Sequence, residues 1–360
     1  VHVVVVGGGA IGLLTAVECV LRGARVSVVE QAAMPNSHGT SYDWHRIVRA
    51  LHPDDPEATR AAVESQAAWR ALEQLLRARL FVRTGALTVV RRGTVGGALA
   101  MLGAAGATAT SLDPDELEAA YPRIRVSGGL PAVLEPGAGV VLADRALSSL
   151  TGFLRLHPRA RMYPRTRVTA CDAEAGAVRC SDGSLLRGDR IVIAAGPWSR
   201  SLLSERLAGQ LTLVRQSVLF CRPPKSCASA WQAMPAIPAF GDPGGSWLVP
   251  PVACTPLKLS AASAARPVSE VTDRETPARL RDELVEQLSE SVVGLSPTWV
   301  TGARDLYYLA HATTGGSVLA REGTKAWAFA ACGGTAFKFA PVIARALTER
   351  ILGPALRVAA

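Results

Sequence analysis

An apolar strand that runs into a glycine turn and then a helix constrains this chain more than any other feature. His2 to Val6 is a continuous, largely β-branched run bounded by glycine, as expected of a central parallel strand rather than one with a wet face. It leads into Gly7-Gly8-Gly9-Ala10-Ile11-Gly12, which is G-x-G-x-x-G. A helical stretch follows through about Leu21, then Gly23 and a second strand from Arg25 to Glu30. The spacing has mechanical grounds. Gly7 permits the tight turn, Gly9 lets backbone approach a pyrophosphate, and Gly12 lets the helix pack closely on the strand. The helix N-terminus then faces the phosphates. Glu30, about 20 residues beyond the glycines, is placed to accept hydrogen bonds from the adenosine ribose hydroxyls. An acid there disfavours a 2′-phosphate, so NADP is not expected. The unit holds the ADP half of a dinucleotide, and by itself it does not separate FAD from NAD.

Length and composition narrow the setting. A chain of 360 residues can bury a substantial core and is expected to form two domains. No uninterrupted apolar run approaches the roughly 20 residues of a membrane helix. Val1 to Val6 lacks the basic leader of a signal sequence. Seven cysteines, Cys19, Cys171, Cys180, Cys221, Cys227, Cys254 and Cys332, are an odd number without close metal-ligand spacing, so reduced thiols, no metal site and a cytoplasmic protein are expected. The net charge of +9 comes from scattered arginines with no nucleic-acid motif beside them, which argues against nucleic acid as a partner. Only four of the 39 basic residues are lysines: Lys225, Lys258, Lys325 and Lys338.

Two further strand-to-turn units lie downstream. Arg190 to Ala195 is an apolar strand entering Gly196-Pro197-Trp198-Ser199, a turn where backbone can press against a cofactor. Trp327 to Ala331 is a strand entering Cys332-Gly333-Gly334-Thr335-Ala336, with a helix from about Phe337 to Leu352. With these in place the chain resembles the D-amino acid oxidase superfamily of flavoproteins, in the branch of monomeric sarcosine oxidase and related amino acid oxidases. Four ordered segments carry the likeness: the nucleotide motif with Glu30; Ser37-His38-Gly39 followed by Arg46-Ile47-Val48-Arg49; Ala194-Ala195-Gly196-Pro197-Trp198; and Gly333-Gly334-Thr335-Ala336-Phe337-Lys338-Phe339. Leu257-Lys258-Leu259 is a shorter fifth.

The resemblance implies an α/β fold in which a Rossmann-like FAD-binding domain (residues 1-80, 141-210 and 305-360) is interleaved with a β-rich, α+β substrate-binding domain (81-140 and 211-304). It implies FAD in an extended form, held by Gly7, Gly9, Ala10, Ile11, Gly12, Glu30, Gln31, Ser37, His38, Gly39, Arg46, Val168, Ala195, Gly196, Trp198, Gly333, Gly334, Thr335, Ala336, Phe337 and Lys338. It further implies oxidation of the C–N bond of an amino or imino acid, with oxygen reduced to hydrogen peroxide, by a monomer or homodimer acting in specialised metabolism. Such an enzyme needs a carboxylate anchor that sets the α-hydrogen over the flavin. Arg49 matches the anchoring position and Lys338 the second cationic contact, a bidentate fork and a point charge. Lys258 matches the lysine that promotes reaction of reduced flavin with oxygen, by stabilising developing superoxide. Strand alternation points Lys258 away from Leu257 and Leu259, toward a site or toward water.

The chain also departs from the pattern. A cysteine that attaches flavin in covalent members aligns with Asp305, so noncovalent FAD is expected. Cys332, in the glycine turn, reads as a small buried thiol. The loop Thr40-Ser41-Tyr42-Asp43-Trp44-His45 is a few residues longer than in the family. A family histidine is missing near Ala262, another is replaced by Thr335, and a Pro-Asp pair is His311-Ala312; the two histidine changes argue against sarcosine itself as substrate. Trp44, Trp247, Tyr307 and Tyr308 are aromatic candidates for the pocket or the core. A flavin dehydrogenase with another electron acceptor, a nicotinamide dehydrogenase, and a nucleotide-binding protein without turnover stay open at this level.

Overall fold

In the computed structural model, which describes residues 1–240 and 245–354, six strands form a sheet in the order Ser317–Glu322, Ala326–Cys332, Arg190–Ile193, His2–Val6, Arg25–Val29, Ala160–Tyr163. All neighbours are parallel except the outermost pair Ser317–Glu322 and Ala326–Cys332. The apolar run His2–Val6 is central, as its composition requires: Val3, Val4 and Val5 are fully buried. Helix Ala10–Leu21 packs one face on this sheet and the other on helices Ala143–Leu156 and Ala340–Leu352. Leu13, Val17, Leu147, Leu150, Ala344 and Leu347 join in one core.

A second layer is antiparallel. Ile237–Phe240, Ser246–Val249, Leu257–Ala261, Leu211–Cys221 and Ala265–Val268 follow one another in space, and Val300–His311 also pairs with Leu211–Cys221. Helix Ala278–Ser289 covers this sheet with Leu284, Val285 and Leu288. Three small three-stranded sheets complete the β content. One of them, His45–Val48 with Gly139–Leu142 and Phe81–Val82, carries the segment that contains Arg46.

The expected α/β class with a β-rich second part is the observed one. The ranges 211-304 and 305-360 take in residues 241–244 and 355–360, which lie outside the described residues. Strand Val300–His311 runs through position 304 and stays paired to Leu211–Cys221 along its length. We therefore propose drawing the division between the two parts near His311.

Candidate functional site

The turn after the first strand is built for close backbone approach. Gly7 has φ +112, and a Cβ placed there would lie 2.3 Å from the carbonyl oxygen of Ala194; at Gly12 it would lie 2.0 Å from the carbonyl oxygen of Gly7. Only glycine fits both positions. The N–H of Gly8 donates to Glu30 Oε2 at 2.8 Å, while Ala32 N and Asn36 Nδ2 donate to Oε1 at 3.0 and 2.9 Å. Burial raises the Glu30 pKa, and these donors oppose the rise. The turn thus fixes the acid, and Asn36, a residue the motif does not include, completes its shell. Ser41 Oγ accepts the N–H of Ala10 at 3.1 Å, docking the Thr40–Tyr42 loop on the helix N-terminus.

From this turn a long cavity runs between the two layers. Its walls include Gly7, Gly9, Ala10, Ile11, Glu30, Gln31, Gly39, Arg46, Val168, Ala195, Gly196, Trp198 and the stretch from Cys332 to Phe337. Four separated glycine-rich or loop segments therefore meet in one space. Gly12 lies under the turn. Ser37 and His38 are not among the lining residues; the N–H of His38 donates to Asn36 Oδ1 at 2.8 Å, so His38 orders its loop. Trp247, Tyr307 and Tyr308 line the cavity from the antiparallel layer, whereas Trp44 is 47% exposed and does not. Arg46 reaches the cavity with its Nε buried and unpartnered. Arg46 is otherwise engaged by Asp43 and the Thr40 carbonyl; cavity shape, glycine cradle and this one free N–H suit an extended, anionic dinucleotide such as FAD.

Lys258 lies on a strand buried on both faces, and the lysine itself is 1% exposed. Its ammonium donates to Asp43, and the Trp247 ring lies 5.4 Å from Nζ. Burial lowers Lys258 to about 8, against the opposing pull of Asp43. Burial would raise Asp43, yet Lys258 and Arg46 hold it well below the usual carboxylate range. Sequence reading singled out Lys258 but missed Asp43. The only local signal was an acid three residues before Arg46, and its partner lies 215 residues away.

Arg49 follows strand His45–Val48, and Lys338 sits in the short 3-10 turn Ala336–Phe339. Burial lowers Lys338 to about 7, and the Arg49 charge pushes the same way. His52 is lowered to about 3 by burial, Arg49 and Lys338, so three basic side chains crowd together. Among the described residues Arg49 Nη1 is buried without a partner, and Lys338 Nζ has only the Thr335 carbonyl at 3.5 Å. Ser65 Oγ and Trp69 Nε1 both donate to the Lys338 carbonyl, fixing that turn from helix Pro56–Leu76. Arg49, Lys258 and Lys338 are not themselves lining residues of the long cavity. Its wall reaches their neighbours Arg46, Trp247, Thr335 and Phe337. Asp305 is fully buried, with its carboxylate held by Arg215, Ser217 and Thr276, and is not a lining residue; Cys332 is one.

A family model described as FAD dependent oxidoreductase (DAO) matches residues 2–350. The monomeric sarcosine oxidase of Bacillus sp. (strain B-0618) is 26% identical over 208 residues, 56% of this chain and 53% of its own length. A glycine oxidase of Pseudomonas aeruginosa (strain PAO1) is 33% identical over 218 residues, 56% of this chain and 57% of its own. The matched segment spans about half the length of these curated relatives. Among solved structures, NikD, described as an unusual amino acid oxidase essential for nikkomycin biosynthesis, superposes with a TM-score of 0.79 at 20% identity, over 99% of this chain and 95% of that one. L-proline dehydrogenase from P. horikoshii gives 0.80 at 17% identity, with the same coverages. At these identities the superpositions speak for the fold alone.

Proposed function

The chain belongs to the DAO family of FAD-dependent oxidoreductases, and on that premise we propose that it oxidises the C–N bond of an amino acid or imino acid, with oxygen as the final electron acceptor. FAD, when bound, supplies the acceptor for the hydride from the carbon beside nitrogen. The residues expected to hold it are Gly7, Gly9, Glu30, Gln31 and the Gly333–Phe337 turn, with Arg46 offering a free N–H. Because Asp305 cannot form a thioether, the proposed attachment is noncovalent.

One observation carries the substrate reading: Lys338 is buried beside Arg49, whose Nη1 is buried, and among the described residues no carboxylate is hydrogen-bonded to either. Glu135 is close enough for its charge to act on Arg49, but its oxygens are taken by the N–H groups of Ala50 and Leu51. An unpaired buried cation is costly. A ligand carboxylate would remove that cost, and Arg49 would give it a two-pronged, orienting contact. Held there, the substrate has its α-hydrogen set for transfer, which is where most of the rate advantage of positioning arises.

Anaerobic mixing with a panel of amino and imino acids tests the reading. Bleaching of the flavin spectrum by at least one of them is the expected result, with peroxide formed once air is admitted. Arg49→Ala and Lys338→Met should each raise KM roughly tenfold or more, since each removes a charge-assisted contact of about 1.5–3 kcal/mol. No bleaching by any compound that carries a free carboxylate would reject it. Transfer of electrons to an acceptor other than oxygen is the alternative outcome of the same experiment. Slow reoxidation in air, unchanged in Lys258→Met, would select it.

A further inference from the structure

Asp43, from the loop before strand His45–Val48, and Lys258, from strand Leu257–Ala261 of a different sheet, meet in a buried space. Their side chains are 0% and 1% exposed, and among the described residues Asp43 is the one hydrogen-bond acceptor of Lys258 Nζ. The same Asp43 oxygen lies 3.2 Å from Arg46 Nη2. Its other oxygen accepts the N–H of Trp44 at 2.8 Å, so the carboxylate cannot swing away. Arg46 and Trp247 both line the long cavity, and Lys258 stands against them, with Trp247 over its ammonium.

We propose that Asp43 is a positioning residue for oxygen reduction, keeping Lys258 protonated and fixed beside Arg46 at the wall of the cofactor cavity. The inference rests on the reading of Lys258 as the oxygen-activating lysine. Its physical basis is the company Lys258 keeps. From the loop and strand before Arg49 it faces Asp43, His45 and Arg46, and from strand Val300–His311 it faces Arg304. His45 is lowered to about 4 by burial and by Lys258 and adds no counter-charge. Arg46 and Arg304 both repel a proton on Lys258. Asp43 is thus the anion paired with Lys258 in a cluster of cations that also takes in Arg274, with Asp144 near Asp43, and without it a buried ammonium beside two guanidiniums would shed its proton. With it, the three groups Asp43, Lys258 and Arg46 sum to one positive charge next to the cavity. A preorganised cation in a water-poor site favours electron transfer to oxygen, which takes two electrons from the reduced cofactor and two protons to leave as hydrogen peroxide.

The experiment uses four holoproteins: wild type, Asp43→Asn, Lys258→Met and the double variant. Each is photoreduced without air and mixed rapidly with air-saturated buffer between pH 5.5 and 9. The wild-type rate should fall as pH rises past about 8, where Lys258 loses its proton. In Asp43→Asn that fall should move down by about 1–3 pH units. Lys258→Met should be slow at every pH, and the double variant should match it. Thermal unfolding of the same four proteins gives a second readout independent of turnover: each single change should lower Tm, and the double change should lower it by less than the two together. An Asp43→Asn profile that coincides with wild type, while Lys258→Met is slow, overturns the role of Asp43 alone. A Lys258→Met enzyme that reoxidises like wild type overturns the reading of Lys258 beneath it. If Asp43→Asn does not fold, recovery of folding in the double variant supports the pairing, and its failure to recover overturns it.

Discussion

The carboxylate of Glu135 accepts the backbone N–H of Ala50 at 2.7 Å, and its second oxygen accepts that of Leu51 at 3.0 Å. Both donors directly follow Arg49, so the acid at the end of strand Ala132–Glu135 holds the backbone that aims the proposed carboxylate anchor. Glu135→Ala leaves two N–H groups unpaired in a buried site, and each costs about 1–3 kcal/mol. The expected outcome is a lower Tm together with a raised KM and a smaller change in kcat, measured by thermal unfolding and steady-state kinetics. The substitution also leaves Arg49 more positive. A lower KM would show that charge outweighs placement at this site.

Lys338 predicts opposite signs for stability and activity. Its pKa is lowered in the fold to about 7 by burial and by Arg49, so the unfolded chain binds that proton more tightly. The penalty on folding is absent above the ordinary lysine range, grows as pH falls toward about 7, and is complete below it. Lys338→Met should therefore raise Tm most at pH 6 and least near pH 10. In the wild-type enzyme the charged form is the one that attracts a carboxylate, so kcat/KM for an acidic substrate should decline as pH rises through about 7. Equal Tm gains at both pH values would contradict the assignment.

At Gly12, a methyl group would lie 2.0 Å from the carbonyl oxygen of Gly7, a contact that backbone must move to relieve. Gly12→Ala should cost at least about 1–3 kcal/mol of stability through overpacking. It should also displace the Gly7–Ile11 segment of the cavity wall. The flavin-to-protein ratio of the purified variant is expected to fall well below that of wild type, with Tm reduced. Full flavin content at unchanged Tm would mean that the turn is not where the cofactor binds.

Acid precipitation tests how flavin is attached. With Asp305 buried and fully engaged by Arg215, Ser217 and Thr276, colour is expected in the supernatant. Cys332 lines the cavity, and burial raises its thiol pKa, which disfavours the thiolate a covalent bond would need. A yellow pellet that turns colourless in Cys332→Ser would assign the linkage to Cys332.

What the sequence disclosed and what it hid divide along chain distance. The strand, turn, helix and acid from His2 to Glu30 were readable because each contact within them is local: the spacing of Gly7, Gly9 and Gly12 and the period of the apolar residues state the geometry directly. The meeting of Lys258 with Asp43 was not readable, since a lysine flanked by leucines reads the same whether it faces water or an acid 215 positions away. Glu135 was hidden for a related reason. Its partners are backbone N–H groups 84 and 85 residues distant, which leave no side-chain signature. Resemblance supplied Arg49 and Lys338, but only folding revealed that Ser65 and Trp69 clamp the turn bearing Lys338.

The order of strands in the parallel sheet carries a consequence for synthesis. His2–Val6 is flanked on one side by Arg190–Ile193, which in turn leans on Ala326–Cys332. Strand His2–Val6 therefore waits for more than half the described chain to be made before this neighbour exists, and longer still before Ala326–Cys332 arrives. Pairings this distant in sequence close slowly and leave apolar edges exposed meanwhile. The glycine turn can form early, but the cavity wall opposite it, from Cys332 to Phe337, is made long after it. Flavin capture is accordingly a late event, and free flavin during expression should act as a trap for the closed form, raising soluble yield as it does so.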